Sequence, residues 1–141
     1  NVSTAQEVSR VSTETGIDML AVGIGNAHGF YKGQPNIRLD MLEKFAAVTT
    51  VPLVLHGTTG LADETVERCV AMGMAKVNLG TLIRTRYVEY TQQVIEQNEH
   101  QNHPWRISEA VKEKIKEDVC YIIRVTGSAG KAKEVLACQS A

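Results

Sequence analysis

The sequence predicts an α/β fold in which short parallel strands alternate with helices, forming either one arc of a (β/α)8 barrel or part of an open doubly wound sheet. Three observations predict it. Short apolar runs, MLAVGIG, VPLVLHG and AKVNLGT, are separated by stretches whose apolar residues recur at helical spacing. The first two runs are apolar without alternation, as in a strand buried on both faces. All three end in glycine together with Asn, His or Thr, so the polar chemistry collects at one end of the sheet.

Taken in order, residues Ala5 to Thr15 are mostly polar, with Val8 and Val11 three apart and Gly16 at the position of a helix-terminating glycine, which predicts the first helix. A strand is expected from about Met19 to Ile24. After Pro35, the stretch RLDMLEKFAAVTT places Leu39, Leu42, Phe45, Ala46 and Thr49 on one helical stripe. The second strand runs from about Pro52 to Leu55. ADETVERCVAMG is helical again, with Asp63 and Glu64 where carboxylates complement the positive end of the dipole, and Gly73 beyond its end. A third strand is expected from about Lys76 to Leu79, then a long helix from about Thr81 to Gln97. The polar linker NEHQNHPW leads to a further helix, about Ser108 to Val125, whose apolar face is Val111, Ile115, Val119, Ile122 and Ile123. After GSAG, Lys131 to Ala137 is read as a last short helix. Residues 1–100 form the βα part, and residues 101–141 a C-terminal helical extension of the same domain.

Composition narrows the function. The chain has 141 residues, 43% hydrophobic and 22% charged, which suits a globular domain with a core. A net charge of -1 gives no basic excess for nucleic acid or an anionic membrane. No apolar run is long enough for a membrane span, and the first residues form neither a signal h-region nor a lipidation site. Cys69, Cys120 and Cys138 are widely spaced, without a zinc-knuckle or disulfide pattern, and read as reduced thiols of a cytoplasmic protein. Small-molecule chemistry is the remaining expectation.

The polar strand ends favour the barrel, because in barrels the loops after the strands build the active site and those after the last two strands often hold phosphate. Asn26, His28 and Gly29 follow the first strand, His56 to Gly60 the second, and Asn78, Gly80 and Thr81 the third. His28 and His56 stand at the same point of successive units, each followed by glycine. Converging imidazoles suit zinc or another borderline cation, although two ligands do not complete a site; the alternative is a pair of hydrogen-bonded histidines capping buried strands. His100 and His103, in the polar linker, read as solvent-exposed. Gly57-Thr58-Thr59-Gly60 and Asn78-Leu79-Gly80-Thr81 can offer backbone N–H groups and hydroxyls to a phosphate monoester, or serve as tight turns.

Together, TGIDMLAVGIGNAHGFY, VPLVLHGTTGL, KVNLGT and the tail element GSAGKA resemble the class II fructose-bisphosphate and tagatose-bisphosphate aldolases across about Thr4 to Ala132. The resemblance implies the last three β/α units of a (β/α)8 TIM barrel plus the C-terminal helical extension. It implies that His28 and His56 bind zinc, and that Gly29, Gly57, Thr59, Asn78, Gly80 and Thr81 bind dihydroxyacetone phosphate, with a monovalent cation, Na+ or K+, near the phosphate loops. The implied activity is a lyase reaction of carbohydrate metabolism and glycolysis, the reversible cleavage of a ketose 1,6-bisphosphate to dihydroxyacetone phosphate and glyceraldehyde 3-phosphate. The family's catalytic aspartate and first metal histidine have no counterpart here and are expected upstream, so the chain alone is expected to be inactive. It is also expected to form a homo-oligomer or to associate with the missing barrel half. Where the family most often has Gly-Ser or Ala-Ser, this chain has Thr58-Thr59. The competing expectation is a non-catalytic phosphate- and metal-binding partner module derived from such a barrel.

Overall fold

A computed structural model of the chain describes residues 2–97 and 103–133. The expectations for His100 and Cys138 lie outside the described residues, as does most of the helix expected from Lys131. Two compact units emerge, Asn1–Leu79 and Gly80–Ala141.

The first unit opens with α1 (Ala5–Glu14). Thr4 and Glu7 form a reciprocal cap: the Glu7 backbone N–H donates to Thr4 Oγ1 at 3.2 Å, and the Thr4 N–H donates to Glu7 Oε2 at 2.8 Å. The helix buries Val8 and Ser12, one turn apart, while Val11 is only half-buried. β1 (Leu20–Ala21) is shorter than the expected strand. Beyond Ala21 the chain meets its own N-terminus: Ser3 N–H donates to the Gly23 carbonyl at 2.8 Å, and Val2 forms an antiparallel bridge with Ile24. Val22 and Ile24 are buried all the same.

In α2 (Leu39–Val48), Leu42 and Phe45 are fully buried and Leu39 packs at the core's margin; Ala46, expected on the same stripe, is exposed. β2 (Leu53–Leu55) is buried at every position, as its continuous apolar run requires. α3 (Asp63–Ala71) turns Val66 and Cys69 inward, and burial pushes the Cys69 thiol above its ordinary pKa, which makes it a core residue and not a nucleophile. β3 (Met74–Val77) begins two residues earlier than expected. The sheet is parallel, in the order β1-β2-β3. Leu53 pairs with Met74 and Val54 with Lys76, so Ala75 is an extra residue that moves the start of β3 back. One core of Val8, Val22, Ile24, Leu42, Phe45, Leu53, Leu55, Cys69 and Met74 joins the sheet to its helices.

The second unit is a helical pair, α4 (Gly80–Glu96) and α5 (Pro104–Val125). Tyr90 donates its hydroxyl to Asp118 Oδ2 at 2.9 Å, tying the two together. α5 starts at Pro104, not near Ser108, because proline lacks the N–H that a first turn leaves unpaired and its fixed φ suits that turn. Val111 is buried, but Val119 and Ile123 on its expected apolar face are exposed. His103 is half-buried instead of solvent-exposed: its ring lies 4.7 Å from that of Trp105, and its Nδ1 is buried without a hydrogen-bond partner among the described residues. None of the described helices is long and apolar enough to cross a membrane.

Candidate active site

Parallel pairing of β1, β2 and β3 brings their C-terminal ends side by side, and the polar residues expected to carry function sit there. The rings of His28 and His56 approach to 5.4 Å between centres, with their planes at 60°. His28 is exposed on the loop after β1; His56 is half-buried directly after β2.

Asn78, just past β3, is the hub of this end. Its backbone N–H donates to the Leu55 carbonyl at 2.9 Å, continuing the ladder by one residue. Its side-chain nitrogen lies 3.0 Å from His56 Nε2 and 3.3 Å from Nδ1, and donates to whichever ring nitrogen carries no proton. The Lys76 ammonium donates to Asn78 Oδ1 at 2.6 Å, which fixes the amide with its NH2 toward the histidine.

Thr58 and Thr59 are both buried. The Thr58 hydroxyl donates to the Asn78 carbonyl at 2.9 Å, so this β-branched residue fastens the loop after β2 to the end of β3. Gly57 is required by the close approach of two loops: its φ is +63°, and a Cβ there would lie 2.2 Å from the Ala27 carbonyl oxygen. Gly29 also has a positive φ, +85°, but opens on free space. Gly80 and Thr81 form the first turn of α4, in the second unit.

Sequence reasoning gave Tyr31 no role. Its hydroxyl accepts from the Ala27 N–H at 3.1 Å and donates to the Gly57 carbonyl at 2.8 Å. Asn26 spans the same gap, accepting from the Ile24 N–H at 2.8 Å and donating to the His56 carbonyl at 2.8 Å. The available signal was a phenol placed among glycines just after His-Gly, a position where burying the ring needs a partner for the hydroxyl.

Two imidazoles bound to one tetrahedral zinc ion through bonds of about 2.0–2.1 Å would have ring centres about 5 Å apart. The observed 5.4 Å fits such a pair. A cation taking the His56 lone pair would compete with the Asn78 amide for it. No group of three or more His, Cys, Asp or Glu residues that could hold a metal occurs among the described residues, so these two histidines would be part of a larger ligand set.

Comparison with known proteins shows the family of the chain. The sequence model of the family described as fructose-bisphosphate aldolase class-II matches residues 1–131. A 6-phospho-5-dehydro-2-deoxy-D-gluconate aldolase of Bacillus licheniformis is 36% identical over 126 residues, 89% of this chain and 43% of that protein. The fructose-bisphosphate aldolase of Geobacillus stearothermophilus is 33% identical over 129 residues, covering 92% and 45%. The sulfofructosephosphate aldolase of Alkalicoccus urumqiensis is 32% identical over 132 residues, covering 94% and 46%. Among solved structures, the YdjI aldolase of Escherichia coli K12 superposes with a TM-score of 0.81 at 29% identity, over 94% of this chain and 48% of that one. The chain thus spans less than half the length of the relatives it matches.

Proposed function

This chain belongs to the class-II fructose-bisphosphate aldolase family, and from that premise we propose that the complete protein is a zinc-dependent aldolase that reversibly cleaves a ketose 1,6-bisphosphate to dihydroxyacetone phosphate and glyceraldehyde 3-phosphate. The observation that carries the proposal is the convergence of His28 and His56 at adjacent strand ends, with Asn78 against one of them.

In this reading the segment supplies two cation ligands and the grip on the triose phosphate. A bound zinc ion would supply Lewis-acid stabilisation of negative charge developing on the triose oxygens. His28 and His56 would hold the cation through ring nitrogens. Asn78 orients the triose through its amide, which the Lys76 ammonium keeps facing the site. Gly29, Gly57 and Thr59 bind the phosphate half through backbone N–H groups and a hydroxyl, and Gly80 and Thr81 join them on the strength of the KVNLGT motif. Holding the phosphate away from the reacting carbon aligns that carbon for bond cleavage. The base that takes the proton and the remaining zinc ligand come from outside this segment. A monovalent cation, Na+ or K+, near the phosphate loops belongs to the same proposal.

Residues 1–100 act as the barrel portion and residues 101–141 as its helical extension. β1 and β3 each have one sheet neighbour among the described strands, which supports pairing with the rest of a barrel, within the complete chain or a homo-oligomer. Cys69 and Cys120, free among the described residues, are in keeping with the cytoplasmic location that belongs to this proposal. A second substrate reading follows from the relatives' names: 6-phospho-5-dehydro-2-deoxy-D-gluconate in place of a ketose bisphosphate.

The test is to purify the complete protein with zinc and assay cleavage of fructose bisphosphate, tagatose bisphosphate and 6-phospho-5-dehydro-2-deoxy-D-gluconate. Cleavage of one of them, lost on chelation and restored by zinc, is the expected result, and Thr59→Ala or Asn78→Ala should lower kcat/KM about tenfold or more, since each loses a charge-assisted or hydroxyl contact to substrate. Chelator-resistant turnover, or none with any sugar phosphate, would contradict the proposal.

A further inference from the structure

We propose that Asn26 and Tyr31 form a clasp that sets the separation of the two imidazoles, making both positioning residues for the cation pair; the inference rests on the reading of His28 and His56 as ligands. His56 directly follows β2, but His28 is not located by its own strand. β1 ends at Ala21, and His28 lies seven positions further on, so the ladder does not fix that side chain.

What does fix the loop is a set of four hydrogen bonds on two side chains. Asn26 is anchored to its own strand end by the Ile24 N–H and reaches across to the His56 carbonyl. Tyr31 joins the backbone just before His28 to the backbone just after His56, through Ala27 N–H and the Gly57 carbonyl. Asn26 and Tyr31 flank His28 in sequence, and across the gap they hold two successive carbonyls, those of His56 and Gly57. The loops are already at contact distance, because a Cβ on Gly57 would lie 2.2 Å from the Ala27 oxygen. The Tyr31 ring borders Gly60, 3.5 Å from where a Cβ would stand, which holds the phenol over the phosphate loop. Removing the hydroxyl leaves the ring in place and two backbone groups without that partner, so the loops relax apart by the means that local geometry allows.

Outer partners of metal ligands typically change metal affinity by about 10- to 100-fold. The experiment uses the complete protein, with zinc alone as the probe. Zinc affinity is measured by competition with a chromophoric chelator for wild type, Tyr31→Phe, Asn26→Ala, His28→Ala and His56→Ala, with circular dichroism confirming the fold. The visible spectrum of the cobalt(II) form reports ligand geometry independently of turnover. Tyr31→Phe should bind zinc at least tenfold more weakly and alter the cobalt bands, which a residue that only stabilises the fold would not do. If the histidine variants lose zinc while Tyr31→Phe stays within twofold of wild type with an unchanged cobalt spectrum, the clasp is refuted and the ligand pair stands. If His28→Ala and His56→Ala keep wild-type affinity, the ligand reading fails and the clasp with it. Should Tyr31→Phe not fold, Asn26→Ala decides by the same criteria.

Discussion

The two units of this chain are stabilised in different ways. In Asn1–Leu79, three helices and three strands contribute to one core in which Ile24, Leu42, Phe45, Leu55 and Cys69 are wholly buried. In Gly80–Ala141, Val94 and Val111 are the buried apolar side chains among the described residues, while Tyr87, Val88, Ile95, Trp105 and Tyr121 are exposed. Among the described residues, its ion pairs Arg86–Glu89, Lys112–Glu109 and Lys116–Glu113 are exposed and so contribute little, and Arg86–Asp118, with a half-buried carboxylate, is long at 4.0 Å. The difference teaches that the histidine geometry rests on a unit with its own packing, whereas the helical pair leaves more of its large apolar side chains exposed.

Core truncation is the strongest way to break this comparison. Phe45→Ala should destabilise the first unit by about 3–5 kcal/mol, whereas Val88→Ala, on a side chain 66% exposed, should stay within about 0.5 kcal/mol. Urea unfolding of the two variants checks this, and similar losses would show that α4 is packed in solution.

The glycines sharpen the same contrast. Gly57→Ala combines a positive φ with a backbone clash and should cost about 1–3 kcal/mol, along with weaker zinc binding. Gly80→Ala, in the first turn of α4 with nothing within 4 Å of its Cβ, should instead gain about 0.4–1 kcal/mol. Thermal unfolding of both variants distinguishes the site glycine from the helical one.

A pH series gives the smallest effect. Hydrogen bonds from the Thr4 backbone, then from its side chain, hold Glu7 below its ordinary pKa of 4.5. A depressed carboxylate pKa stabilises the fold above the unfolded value, and this contribution is lost as pH falls through the folded one. The urea midpoint of wild type should therefore exceed that of Glu7→Gln at neutral pH, and the gap should close in acid below that range. A gap independent of pH would exclude the capping charge as its source.

Much of this was legible because local signals agreed with one another. α2, β2 and α3 lie within about a residue or two of their expected bounds, since Pro52, Gly73 and the Leu42–Phe45 spacing punctuate the chain in the way its packing needs. The strand ends named His28, His56 and Asn78, and the fold brings them together. What could not be read was decided by partners distant in sequence. β1 shortens because Val2 and Ser3 return to pair at Ile24 and Gly23. β3 shifts because Leu53 selects Met74 across a bulge. Thr58, out of place as a turn residue, is accounted for by a carbonyl twenty positions away. The role of Tyr31 likewise depends on Gly57, 26 residues on.

The central claim, that His28 and His56 are cation ligands, is tested most directly by zinc content. The complete protein should be purified in zinc, dialysed and analysed for bound metal, as wild type and as the His28→Ala/His56→Ala double variant. The account predicts stoichiometric zinc in the wild type and its loss in a double variant that remains folded. Equal zinc retention by both would contradict it and return the two histidines to the role of strand-end caps.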